Sequence, residues 1–180
     1  MLLLEIAKKM LEIITYPNKL LFTRSQEVEK FDENLHKLLD DMYETMISSN
    51  GIGLAAIQVA KPLRIFLINL LNDKEEQNKE DLIEFINPVI TPIGEGTQVY
   101  EEGCLSVPGF FEEVTRYDRI KVDYCDRFGN AKSLEADGLL AVAIQHENDH
   151  LNGHLFIEKL SFNGRKKLEK HLKNSKKSKK

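Results

Sequence analysis

Tryptophan is absent from this chain of 180 residues, cysteine occurs twice, proline five times and glycine ten times. So little proline and glycine excludes a collagenous or low-complexity chain. Two cysteines, Cys104 and Cys125, are too few for a disulfide framework and are read singly. No apolar run approaches the about 20 residues that span a bilayer. The N-terminal apolar patch Met1–Leu4 is broken by Glu5, with Lys8 and Lys9 behind it. That is the wrong order and length for a secretory signal, so a cytoplasmic setting without membrane attachment is expected. There is no overall basic excess either: 25 Lys+Arg face 29 Asp+Glu, for a net charge of −4. A surface that wraps nucleic acid throughout, and with it a specific DNA partner, is excluded.

What is present is enough apolar material, 42%, for one domain with a real core. The basic residues gather at one end. Nine Lys+Arg and a single acid, Glu169, lie between Ser161 and Lys180. An acidic body with a basic tail suits local contact with a polyanion. Met10 opens Met-Leu-Glu-Ile-Ile-Thr-Tyr-Pro and reads as a natural start. The expected organisation is an extension over 1–9, a single domain over 10–164 and a basic helix or tail over 165–180.

The clearest helix follows Asp32, a candidate N-cap. Leu35, Leu38, Leu39, Met42, Met46 and Ile47 share one stripe, while Lys37, Asp40, Asp41 and Glu44 face away. Asn50-Gly51 is its stop. Leu63–Leu70 is apolar and β-branched and predicts a strand. Shorter strands are predicted at 82–86, 97–101, 111–117, 119–125 and 131–136, with Arg127–Asn130 as a hairpin turn. Leu139 to Asn152 turns helical and is apolar all round in its first half, so it enters the core. A last helix spans about 161–173. Helices flanking mostly antiparallel or mixed strands give an α+β class.

Three segments carry chemistry. His146-Glu147-Asn148-Asp149-His150 places two imidazoles on one helical face, where both can hold one metal, with Glu147 in reach of a water there. A catalytic site needs a third protein ligand. His154, Glu158 and Glu169 are downstream candidates, and Gly153 ends the helix before His154. The other candidate is Cys104, presented in Glu101-Glu102-Gly103-Cys104-Leu105-Ser106-Val107-Pro108-Gly109, since a thiolate with two imidazoles suits zinc or ferrous iron. Cys125 reads as a small buried apolar residue. Gly51-Ile-Gly-Leu-Ala-Ala-Ile-Gln58 matches a loose dinucleotide fingerprint, but a helix precedes it where that fingerprint needs a strand. It reads instead as a loop that a peptide backbone can approach closely, with Gln58 as a donor. On the pentad alone, a zinc peptidase or a closed structural metal site are the competing readings.

Taken together, Gly51–Gln58, Glu102-Gly-Cys-Leu-Ser106 and Gln145-His-Glu-Asn-Asp-His150 resemble the three signatures of the peptide deformylase family, in order, over about Met10 to Leu160. The resemblance implies strands around a central metal-binding helix, with an N-terminal and a C-terminal helix. It implies removal of the formyl group from N-formylmethionine on nascent polypeptides, by metal-activated water. It makes Cys104, His146 and His150 the metal ligands and Glu147 the general acid/base. Gln58 and the backbone N–H of Leu105 become the oxyanion donors. Ile52, Gly53 and Gly103 would pair with the substrate backbone as a strand does. Ferrous iron is the implied ion, with zinc, nickel or cobalt able to replace it. The basic tail is the implied contact with the ribosome. Phe111 stands near a position that is basic in many bacterial members. Two further expectations come from this chain's own residues: Ile144 and Phe111 line a methionine-sized pocket, and Asp149 pairs with a base such as Arg116.

Overall fold

The structure, a computed structural model, describes residues 10–177; the expectation for 1–9 lies outside the described residues. Helix α1 spans Glu33–Ser48, and Asp32 caps it by accepting from the backbone N–H groups of Asn34 and Leu35, both at 3.1 Å. Leu35, Leu39, Met42 and Met46 are buried, with Leu38 and Ile47 partly so. Asp41 departs from the expected outward face. It lies at the stripe's edge, is buried, and is held by the ammonium of Lys37 at 3.1 Å.

Seven strands follow: β1 Gly53–Ala55, β2 Ile65–Ile68, β3 Ile83–Pro92, β4 Thr97–Cys104, β5 Val107–Tyr117, β6 Arg119–Cys125 and β7 Ala131–Asp137. Five form one sheet in the order β1-β2-β3-β6-β7, and β4 with β5 form a separate hairpin. Every pairing between these strands is antiparallel. β3 is twice the expected length because Asn87-Pro88 does not end it. A bulge between Ile86 and Val89 absorbs the proline. Asn87 there takes a φ of 52°, and its carboxamide brackets the backbone N–H and C=O of Val28 at 2.8 and 2.9 Å. The turn at Arg127–Asn130 joins β6 to β7 as expected, with Gly129 at φ 83°.

Helix α2, Gly138–Leu151, lies between the two sheets. Ala141, Ile144 and Leu151 pack with Phe66, Phe85 and Ile120 of the large sheet. Gly153, at φ 79°, ends the path of the helix where a Cβ would press on the Phe22 carbonyl. Helix α3, Phe162–Lys177, packs on β5. Cys125 is a partly buried member of the core that α1 covers. No helix among the described residues is long and apolar enough to cross a membrane.

Candidate metal centre

Cys104 ends β4, and the two-residue turn Leu105-Ser106 reverses the chain into β5, leaving the thiol at the tip of the hairpin. The backbone of Tyr16 donates to the Ser106 carbonyl at 2.8 Å, and that of Ile14 to the Gln58 carbonyl at 2.8 Å. One N-terminal segment therefore ties the turn to the Gln58 motif. Across from the thiol, α2 projects His146 and His150 one turn apart, rings 5.2 Å centre to centre. Cys104 Sγ lies 3.3 Å from His150 Nε2, and the three donor atoms all fall within 4.8 Å of one another. Both histidines are buried.

The surroundings fit an ion. One thiol and two imidazoles form a donor set for zinc or ferrous iron. Glu102 accepts from His146 Nδ1 at 2.7 Å, which directs the opposite ring nitrogen toward the cluster. The Arg116 guanidinium clamps Glu102 from the other side at 2.7 and 2.9 Å and also donates to Asp149. The expected Asp149–Arg116 pair is therefore present. Burial alone would raise the Glu102 carboxyl, but its hydrogen bonds with Arg116 and His146 prevail and lower it to about 2. His146 is raised well above the usual histidine value: burial opposes this, and Cys104 and Glu102 overcome it. His150 is lowered by burial and by the neighbouring positive charges of His146 and Arg116.

Glu147 is buried, and its Oε2 has no hydrogen-bond partner among the described residues. Burial chiefly raises its carboxyl to about 7. Such a group is ready to exchange a proton near neutral pH. Gln58 is buried beside it, its orientation fixed because its carbonyl accepts from Ala55 N–H at 2.8 Å. The amide nitrogen then points at Ser106 Oγ, 3.1 Å, and Cys104 Sγ, 3.5 Å.

These groups open onto a cavity of about 530 Å³. Ile52 and Gly53 line one wall and Gly103 and Leu105 another, so every expected site residue reaches the cluster or the cavity beside it. A Cβ at Gly53 would displace the Glu147 carboxylate. A Cβ at Gly103 would push aside the exposed Phe111 ring. Phe111 lines the mouth as expected, but Ile144 does not. It turns to the large sheet with no exposed surface, and Val142, Ala143 and Leu139 take the pocket side. A helix apolar on every face hides from periodicity which residues look into a cleft. His154 is exposed and paired with Glu158 at 3.0 Å, away from the cluster, and Glu169 is exposed on α3. The downstream ligands that a peptidase or closed metal site would use are therefore not brought to the cluster.

Sequence reading assigned no role to Glu102, Ser106 or the backbone of Ile14 and Tyr16. Glu102 alone carried a signal, as an acid two residues before the candidate thiol.

A model of the polypeptide deformylase family matches residues 10–166. The peptide deformylase of Campylobacter jejuni is 64% identical over 167 residues, covering 93% of this chain and 95% of that protein. That of Helicobacter pylori strain G27 is 58% identical over 171 residues, covering 95% and 98%. Among solved structures, a peptide deformylase from Legionella pneumophila superposes with a TM-score of 0.84 at 38% identity, covering 95% of this chain and 98% of that one. One from Plasmodium falciparum superposes with a TM-score of 0.85 at 37% identity, covering 92% and 97%.

Proposed function

The chain belongs to the polypeptide deformylase family, a metal-dependent hydrolase acting on formylated peptides, and from that premise we propose how its residues divide the work. Cys104, His146 and His150 hold one divalent ion, ferrous iron in the native enzyme, with zinc, nickel or cobalt as replacements. The ion, when bound, supplies Lewis acidity and a nucleophilic water near neutral pH. With the ion in place, Glu147 would take the nucleophile's proton and return it to the departing amine. Gln58 Nε2 and the Leu105 backbone N–H donate to the oxyanion as it forms; the Gln58 carbonyl is held by Ala55 N–H, and its amide nitrogen exchanges the contact with Cys104 Sγ for the oxyanion.

The peptide enters as a strand. Among the described residues β1 ends the large sheet and β4 pairs with β5 alone, so Gly53 and Gly103 each bring a free outer edge to the cavity. Ile52 and Gly53 on one side and Gly103 on the other pair with the substrate backbone. The methionine side chain lies against Val142, Ala143 and Leu139. A formyl carbon bears only hydrogen, so this crowded centre admits it and rejects a bulkier peptide carbonyl.

Residues 10–164 form the catalytic unit, with 165–180 as a basic arm. Arg165, Lys166, Lys170 and Lys173 are exposed on α3 and suit ribosomal RNA in the cytoplasm. Reversing Lys166, Lys170 and Lys173 to glutamate is expected to abolish low-salt ribosome binding; binding that survives rejects the contact.

The observation that carries the reading is the buried, unpartnered Glu147 carboxylate beside the Cys104–His146–His150 cluster. Its test is formate release from formyl-Met-Ala by protein loaded with iron or nickel without oxygen. Glu147→Ala is expected to keep its metal and lose about 10²–10⁴ in kcat. No formate from folded, metal-replete wild type rejects the reading.

A further inference from the structure

We infer that Gln77, in the polar loop after β2, is a positioning residue that completes the β-ladder under the substrate-binding lip Gly51–Gly53. This rests on the deformylase reading above, in which that lip pairs with the peptide. The β1–β2 ladder runs through Ala55↔Phe66, Leu54↔Leu67 and Gly53↔Ile68. One more rung follows, from Asn69 N–H to the Ile52 carbonyl at 2.9 Å. Beyond it the backbones part. The Gly51 N–H turns back to the Met46 carbonyl, and the lip carbonyl at Gly51 meets no backbone donor in β2. The side chain of Gln77 supplies it. Its amide nitrogen donates to Gly51 O at 2.9 Å and to Asn69 O at 2.6 Å, spending both hydrogens on the two diverging strands.

The loop is built to present that amide. Asn72 Oδ1 accepts from the backbone of Lys74 and Glu76 at 2.8 and 3.0 Å, and the Asn72 N–H donates to Glu76 O at 2.8 Å. Asn69 reaches back from the sheet and donates to Asn78 O at 2.8 Å. Gln77 is thus held from both sides and is itself half-buried, whereas its neighbours Glu76 and Asn78 are exposed. The lip it secures touches the reaction twice: Ile52 and Gly53 line the cavity, and Gly53 packs on Glu147. A loosened lip weakens pairing with the residues after methionine more than it disturbs the cluster, whose ligands come from β4 and α2.

The experiment compares wild type, Gln77→Met and Gln77→Glu on formyl-Met-Ala-Ser and on formyl-methionine alone. For Gln77→Met, KM for the tripeptide is expected to rise about fivefold to tenfold with kcat within about twofold, and kcat/KM for formyl-methionine to stay within about twofold. Gln77→Glu sets a carboxylate against two carbonyls and is expected to raise KM further. In the free proteins, amide exchange across 51–55 is expected to quicken about fivefold or more in both variants, with β3 and β6 unchanged. An equal loss on both substrates, a Gln77→Glu enzyme that matches wild type, or unchanged exchange at the lip overturns the inference. Wild type inert on both peptides would reject the deformylase reading instead, while the exchange data still decide on the latch.

Discussion

His146 and His150 sit one turn apart on the same helix, yet their surroundings pull them in opposite directions. His146 rests against a charged chain, Glu102 to Arg116 to Asp149, and is raised against burial by Cys104 and Glu102. The Nδ1 of His150 is buried with no hydrogen-bond partner among the described residues, and that ring is lowered. Cys104 reaches both rings; beyond that shared thiol, His146 is braced by ions and His150 by packing. Geometry on the β5 side therefore depends on charge, and on the far side on donor identity and burial.

Breaking the centre at the thiol that both histidines share has the largest expected effect. Cys104→Ala leaves two imidazoles in place of a complete set, so metal content measured by emission spectrometry should fall to background and formate release with it. Full metal content in that variant would remove Cys104 from the ligands. Breaking the braced side is milder but broader. Glu102→Gln strands Arg116 beside a neutral amide, with an expected loss of about 3 kcal/mol in denaturant unfolding. Metal affinity, by competition with a chelator, should drop about 10–100-fold. A Glu102→Gln enzyme with wild-type affinity would make the two histidines equivalent.

Acid titration sharpens the same contrast. The Glu102 carboxyl is lowered to about 2 from 4.5, so the unfolded chain binds the extra proton between those values. Its contribution, roughly 3 kcal/mol, is complete above about pH 4.5 and is lost as pH falls toward 2. Unfolding of metal-free protein across that range should steepen with acid in wild type and flatten in Glu102→Gln. Least is expected from Asp149→Asn, which keeps a hydrogen-bond acceptor for Arg116: about 1 kcal/mol, with kcat within about threefold.

These differences mark how far the sequence alone could be read. The spacing of His146 and His150 needs only helix geometry, and Asp32 needs only a cap, so both were legible. Asp149 could be matched to Arg116 because a charge entering the core must find a partner. An acid two residues before the thiol marks Glu102, but its role depends on β4 lying against α2, a long-range placement. β1 was missed for a related reason: three residues, Gly-Leu-Ala, have little strand propensity, and only pairing with β2 makes them a strand. Ile144 was misplaced because its helix is apolar on every side. Asn87-Pro88 hid half of β3, since the bulge that rescues it uses Val28, far away in the chain.

The two unpaired edges that flank the cavity have a consequence in time. Exposed edges ordinarily invite pairing between whole proteins. Here Gly53 and Gly103 bring the two edges to opposite walls of one cavity, a spacing suited to a single extended chain. A new polypeptide meets that condition while its first residues remain outside any fold of their own. Once that segment is taken into a helix or sheet, its backbone groups are spent and the cleft has nothing to hold. The enzyme therefore races the folding of its own substrates, and slow-folding N-termini give it the longest opening.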